Sequence, residues 1–285
     1  MAAGPLQDDE AVQTRRIARW RGAHDAQHDS DPIAVEEPLE IRLAWDGGEE
    51  TVSVTLRTPG ADEELAAGLL FAEGVVRSAA EIASITRIGI DWLPGESANA
   101  VLVALRSGLV PDLAGARRNL AATASCGVCG AASIETVRAL CAGAAAPSDL
   151  RMEASLLTRL PERLRAAQSA FERTGGVHAA GLFDARGELV ALREDIGRHN
   201  ALDKLIGAQF LAGKTPLSEF AVVVSGRLGF ELIQKCARAA VPLVAAVGAP
   251  TTLAIDLARA MGITVAGFVR EGRCNVYCGD GVRVG

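Results

Sequence analysis

Beyond Pro32 apolar and polar residues alternate: Leu39, Ile41, Leu43 and Trp45 are set against Glu40, Arg42 and Ala44, and the alternation resumes at Val52, Val54 and Leu56 after Asp46-Gly47-Gly48. Period two on both sides of a glycine turn predicts a β-hairpin. Pro59-Gly60 ends it. Asp62-Glu63-Glu64 then opens a run with Leu65, Leu69 and Ala72 at helical spacing, and acids in a first turn favour a helix N-terminus. Gly74 is placed to close that helix. Strand patterns at Ile85 to Ile90 and Ala100 to Leu105 flank the turn Leu93-Pro94-Gly95-Glu96, so the chain to about residue 120 reads as a small α+β domain.

The pattern changes after Ala142-Gly143-Ala144-Ala145-Ala146-Pro147, which has linker composition. Strands are predicted at Val177 to Phe183 and Glu188 to Leu192, followed by a helix from Arg198 to Leu211. Strand Phe220 to Val224, helix Leu228 to Ala240, strand Leu243 to Val247, helix Thr251 to Met261 and strand Thr264 to Val269 complete the series. Strands separated by helices imply an α/β layered domain with a partly parallel sheet. The predicted organisation is a flexible tail over 1–35, a small α+β domain over 36–120, a thiol-bearing loop with its helix and linker over 121–148, and the α/β domain over 149–285.

Composition narrows the function classes. The chain has 285 residues, 49% of them hydrophobic, and a net charge of −6, with a pI near 5.4. That balance disfavours wholesale nucleic-acid binding and leaves room only for local anion sites. No stretch reaches about 18 uncharged apolar residues, and Met1 to Asp31 has no apolar core of the kind export requires, so neither a membrane span nor a secretory leader is expected. Six irregularly spaced cysteines do not read as a disulfide framework, which points to the reducing cytoplasm.

The chemistry concentrates at Ser125-Cys126-Gly127-Val128-Cys129-Gly130, in a stretch without periodicity that feeds a helical pattern at Ile134, Val137 and Leu140. Two thiols at this spacing can chelate a metal, cycle through a disulfide, or carry sulfur on one thiolate. The preceding residues are not a strand, which disfavours a thioredoxin-like site. A structural zinc would draw its second pair from Cys274 and Cys278, which strand alternation places on one face. Cys141 and Cys236 sit in apolar helical contexts and read as small buried hydrophobes. The His178 stretch has Ala180 where a zinc deaminase carries its glutamate, and the Cys-x-x-Cys lies upstream, so no deaminase zinc is expected.

Polar residues gather where the strands of the α/β domain end: Ser225-Gly226-Arg227, Ala249-Pro250-Thr251-Thr252 and Arg270-Glu271-Gly272-Arg273. Ligands of such sheets lie beyond the carboxyl ends of the strands, and glycines with arginines suit a phosphate-bearing ligand. Glu194-Asp195-Ile196-Gly197-Arg198-His199-Asn200 reads either as a functional cluster or as a solvated loop with an Asp cap. Asp203 and Lys204 read as a solvated charged face.

In combination, Cys126-Gly127-Val128-Cys129-Gly130, Thr174 to Ala180, Glu194 to Lys204, Ser225-Gly226-Arg227, Ala249 to Ala254 and Gly267-Phe268-Val269-Arg270 resemble the formate dehydrogenase accessory proteins of the FdhD type, over roughly Glu36 to Val276. The resemblance implies a sulfurtransferase of the sulfur-carrier type with a covalent persulfide intermediate. A cysteine desulfurase would load Cys126, with Cys129 as its companion. The sulfur would pass to a bis-guanine-dinucleotide molybdopterin cofactor of molybdenum, carried as cargo on Phe268, Val269, Arg270, Glu271, Gly272 and Arg273, before insertion into formate dehydrogenase. It also implies a homodimer and a deaminase-like fold for the second domain. The competing readings are a zinc-stabilised module, a dithiol oxidoreductase and a cofactor-binding chaperone that does not use its cysteines.

Overall fold

The structure, a computed structural model, describes residues 9–22, 26–89, 99–113 and 148–284. Cys126, Cys129, Cys141 and the helix expected after them lie outside the described residues. The chain opens with an antiparallel pair, β1 (Val12–Arg19) and β2 (Gln27–Ala34). The tail expected over 1–35 thus contains a hairpin. Its second strand is mostly polar, and ion pairs cross the ladder: Arg19 binds Asp29 at 2.8 Å and Asp31 at 2.9 Å.

A four-stranded sheet follows, ordered β4-β3-β6-β5, from β3 (Glu37–Trp45), β4 (Gly48–Arg57), β5 (Ile82–Ile88) and β6 (Ala100–Leu105). The β3–β4 hairpin is the one its alternation predicts, with Leu39, Ile41 and Leu43 fully buried. Between β4 and β5 lies helix α1 (Asp62–Ala72), whose first-turn acid Asp62 receives two hydrogen bonds from Arg57, at 2.9 and 3.1 Å.

The larger unit begins with β7 (Met152–Glu153) and three short helices, α2 (Ala154–Leu157), α3 (Leu160–Ala167) and α4 (Ser169–Thr174). A six-stranded mixed sheet then forms from β8 (His178–Phe183), β9 (Leu189–Asp195), β10 (Ala221–Val224), β11 (Leu243–Ala246), β12 (Thr264–Arg270) and β13 (Arg273–Cys278). Its order is β13-β12-β11-β10-β8-β9, with β10, β11 and β12 parallel and the outer strands antiparallel. The uninterrupted apolar runs Ala221–Val224 and Leu243–Ala246 suit strands covered on both faces. Helices α5 (Arg198–Leu211), α6 (Phe230–Arg238) and α7 (Thr252–Met261) fall where the sequence places them. The last strand, β14 (Val282–Arg283), pairs with β7.

One core runs from the inner face of the small sheet through α1 to α5, α6, α7 and one face of the large sheet. A second core fills the opposite face under α2 and α3, with Leu157, Leu160 and Leu164 against Phe183 and Val223. Where α1 crosses α5 at Gly68 and Gly207 no side chain intervenes. A β-carbon on Gly68 would stand 1.9 Å from the Asp203 carbonyl oxygen, and one on Gly207 the same distance from that of Glu64. Only glycine permits this approach. Arg193 on β9 adds an ion pair to Glu64 on α1, at 2.5 Å.

Candidate functional site

The parallel strands β10 and β11 and the neighbouring β12 end on one edge of the large sheet, and the residues that follow them converge there. Ser225 after β10, Val247 after β11, and Val269, Arg270 and Glu271 at the end of β12 line a cavity of about 560 Å³. This is the size of a small-molecule pocket, of ~300–1,000 Å³. Because β8 runs antiparallel to β10, its first residue, His178, reaches the same edge, with Nδ1 3.4 Å from Ser225 Oγ. The opposite wall comes from α3 and α4: Pro161, Leu164, Arg165, Gln168 and Phe171.

Local chemistry fixes this edge. Ser225 Oγ accepts the Ala179 N–H at 2.9 Å, and Ser225 N–H donates to the Ala179 carbonyl at 3.0 Å, so the loop after β10 is tied to the start of β8. Gly248 lies against the Gly226-Arg227 backbone, where a β-carbon would meet Gly226 O at 2.9 Å. Phe268 carries a positive φ of 52°, a left-handed conformation unusual for an aromatic residue, and its N–H donates to Gly248 O at 3.1 Å. That bend interrupts pairing between Gly267 and Arg270 and turns the strand end toward the cavity.

The six residues expected to bind cofactor are therefore divided. Arg270 and Glu271 are exposed at the cavity rim, and Val269 lines its floor while buried in the second core. Gly272, at φ 73°, completes the two-residue turn to Arg273, which stands exposed across the hairpin from Arg270 and outside the lining. Phe268 is 37% exposed and is also outside the lining. The loop Ala249 to Thr252 contributes structure at this edge: Ala249 O accepts the Leu228 N–H at 3.0 Å, and Thr251 Oγ1 caps α7 at Ala254.

In the dense polar run Glu194 to Asn200 both acids are bound within the fold rather than solvated. Asp195 is fully buried; its Oδ2 lies 2.7 Å from Lys204 Nζ and accepts the Thr58 N–H at 3.2 Å. Asp195 Oδ1 accepts the Gly197 N–H at 2.8 Å and Asn200 Nδ2 at 3.2 Å. Asp203 and Lys204, expected on a solvated face, are both 2% exposed, with Asp203 Oδ1 2.7 Å from Lys235 Nζ. Their partners lie on β9, on α6 and at Thr58 just past β4, so helical periodicity alone could not reveal the burial. Glu194 accepts the Ala170 and Phe171 N–H groups at 2.9 Å each, holding α4 against the sheet.

Burial and the Arg198 guanidinium hold the His178 imidazole below its ordinary range, so it is neutral near pH 7. His199 is pushed down by the same two causes, with Lys235 and His178 adding to them. The three described cysteines are also held protonated: burial pushes the Cys236 thiol up to about 12 and raises those of Cys274 and Cys278. Cys274 and Cys278 do not share a face. Val265 pairs with Cys278 and Ala266 with Val276, so a bulge at Tyr277 reverses the alternation; Cys274 packs on the second core and Cys278 on the first. The two cannot converge on one ion. Among the described residues no group of three or more His, Cys, Asp or Glu side chains is arranged to hold a metal, and no described helix is long and apolar enough to cross a membrane.

Sequence reading missed the helical wall. Leu156, Leu157, Leu160 and Leu164 carry a helical spacing that would have placed α2 and α3, and with them Arg165, Gln168 and Phe171.

Comparison with known proteins bears on both the architecture and the family. A solved structure from Desulfotalea psychrophila, described as that of a formate dehydrogenase accessory protein, superimposes with a TM-score of 0.68 over 93% of this chain and 96% of the other, at 23% identity. Proteins named sulfur carrier protein FdhD are much nearer in sequence. That of Streptomyces avermitilis is 45% identical over 273 residues, 94% of each chain. The Anaeromyxobacter dehalogenans protein is 44% identical over 290 residues, spanning 96% of this chain and 94% of its own. The pattern of the FdhD/NarQ family matches residues 34–283, which takes in the four-stranded and six-stranded sheets and every wall of the cavity, and the chain belongs to that family.

Proposed function

We propose that the chain is a sulfur carrier in the maturation of formate dehydrogenase, and that it delivers sulfur to a molybdenum cofactor held at the cavity. The observation that carries the reading is the cavity itself: a pocket at the carboxyl edge of parallel strands, rimmed by Arg270 and Glu271, in a chain of this family. Relatives across their whole length bear the name sulfur carrier. The protonated state of Cys236, Cys274 and Cys278 supports assigning the carrier role to another thiol, since only a thiolate attacks a persulfide at useful rates. Cys126 takes that role here, with Cys129 three residues on.

In this reading the Cys126 thiolate attacks the terminal sulfur of a desulfurase persulfide, leaving the desulfurase cysteine as thiolate and Cys126 as the persulfide. The Cys129 thiolate then attacks Cys126 Sγ, forming a Cys126–Cys129 disulfide and releasing hydrosulfide to the molybdenum, which is the substrate of the reaction. The two electrons that convert sulfane sulfur to sulfide come from the two cysteines, and a thiol reductant resets the pair. Arg270 supplies a charged fork for a phosphate oxygen of the nucleotide moiety. The carrier would work in the reducing cytoplasm as a homodimer.

Intact-mass measurement after incubation with a cysteine desulfurase and free cysteine tests the proposal. A gain of about 32 Da in wild type and none in Cys126→Ala is expected. An unmodified wild type, or a Cys126→Ala variant that still matures formate dehydrogenase, would leave a cofactor chaperone that does not use its cysteines.

A further inference from the structure

Gln168 joins α3 to α4 and lines the cavity. Its backbone is committed, with the N–H to Arg165 O at 3.3 Å and the carbonyl to Glu172 N–H at 3.0 Å. Its side chain is not. Gln168 is 3% exposed, yet Nε2 is buried without a hydrogen-bond partner in the protein. Buried amides are hydrogen-bonded in the great majority of cases, and one left without a partner beside a cavity calls for a partner from outside the chain. With no bond to hold it, the amide can turn about its last torsion and bring its NH₂ to the cavity.

The neighbouring residues specify the shape of that partner. The Arg165 guanidinium lies 4.2 Å over the centre of the Phe171 ring, and both line the same wall. Guanidinium and aromatic groups held together in this way are a platform on which a further planar ring can stack. The Glu162 and Glu271 carboxylates, also in the lining, supply acceptors for an amino group.

We infer that Gln168 donates a hydrogen bond to the oxo group of a fused aminopyrimidinone ring, the ring system that guanine and a pterin share, which stacks on Arg165 and Phe171. The inference rests on the cavity being the cofactor pocket proposed above, and it makes Gln168 the specificity-determining residue of that pocket. Because the side chain bonds nothing in the protein, its replacement by an apolar group of similar size removes a cost to the fold together with the ligand contact.

The test measures binding of GDP and of neopterin to the full chain by calorimetry, for wild type, Gln168→Leu and Gln168→Glu, alongside thermal melting. Whichever probe wild type binds identifies the source of the ring: GDP the base, neopterin the pterin. Both variants are expected to bind it about tenfold more weakly. Glu fails with Leu because a carboxylate cannot donate, and Gln168→Leu melts at the same temperature as wild type or higher. Unchanged affinity in both variants overturns the inference and leaves the pocket standing, as does retained affinity in Gln168→Glu alone. Loss of binding together with a lowered melting temperature in Gln168→Leu assigns Gln168 to the fold and also overturns it. Binding of neither probe by wild type removes the pocket reading and the inference with it.

Discussion

Two regions of this molecule bury polar side chains and use them in opposite ways. Along the seam between α1, α5 and α6 each buried charge has its counterion: Asp195 meets Lys204, Asp203 meets Lys235, and Arg57 meets Asp62. At the cavity edge Gln168 Nε2 is buried with no partner. No ion pair among the described residues claims Arg270 or Arg273, and they stand exposed. The seam is closed on itself and stabilises the fold; the edge is incomplete until something enters it.

The contrast breaks first at the seam. Asp195→Ala leaves Lys204 charged and buried, and about 3–5 kcal/mol of stability should be lost in urea denaturation. A loss below about 1 kcal/mol would show that water reaches the pair and that the seam is open. Gly207→Ala drives a β-carbon into the Glu64 carbonyl and should lose about 1–3 kcal/mol or more, whereas the same change at Gly229, where nothing lies within 4 Å, should have far less effect. Equal losses at the two glycines would refute the backbone contact between α1 and α5.

The pH dependence gives a smaller effect. The folded chain holds His178 and His199 below their ordinary range, while the unfolded chain takes up protons near 6.5. Unfolding therefore binds protons in that window, so the contribution is complete above about pH 6.5 and declines as pH falls toward the lowered folded values. Between pH 7 and 5 the loss of stability should be shallower in the His178→Gln/His199→Gln variant than in wild type; parallel curves would remove the histidines from the account. The smallest effect belongs to the edge. Arg270→Ala should change stability by less than about 0.5 kcal/mol while weakening GDP binding, and a large destabilisation would move Arg270 from the ligand to the fold.

Local pattern made the large sheet legible. The runs Ala221–Val224 and Leu243–Ala246 and the spacing of α5 and α7 are properties of a few consecutive residues, and the structure places these elements within a residue or two of their expected ends. The loops after β10 and β12 met at one edge as the topology requires. What stayed hidden depends on distant partners. Asp203 and Lys204 look solvated until β9 and α6 bring Asp195 and Lys235 to them. The bulge at Tyr277 inverts the alternation by which Cys274 and Cys278 would have shared a face. Gln168 is silent for another reason: an amide waiting for a ligand has the same sequence signature as one facing water.

The glycine contact between α1 and α5 has a mechanical corollary. Two helices in backbone contact at Gly68 and Gly207, with an arginine–glutamate strut beside them, have no side chain at that crossing to yield when one is pushed along the other. A push on the small sheet would therefore pass to the large one through that crossing.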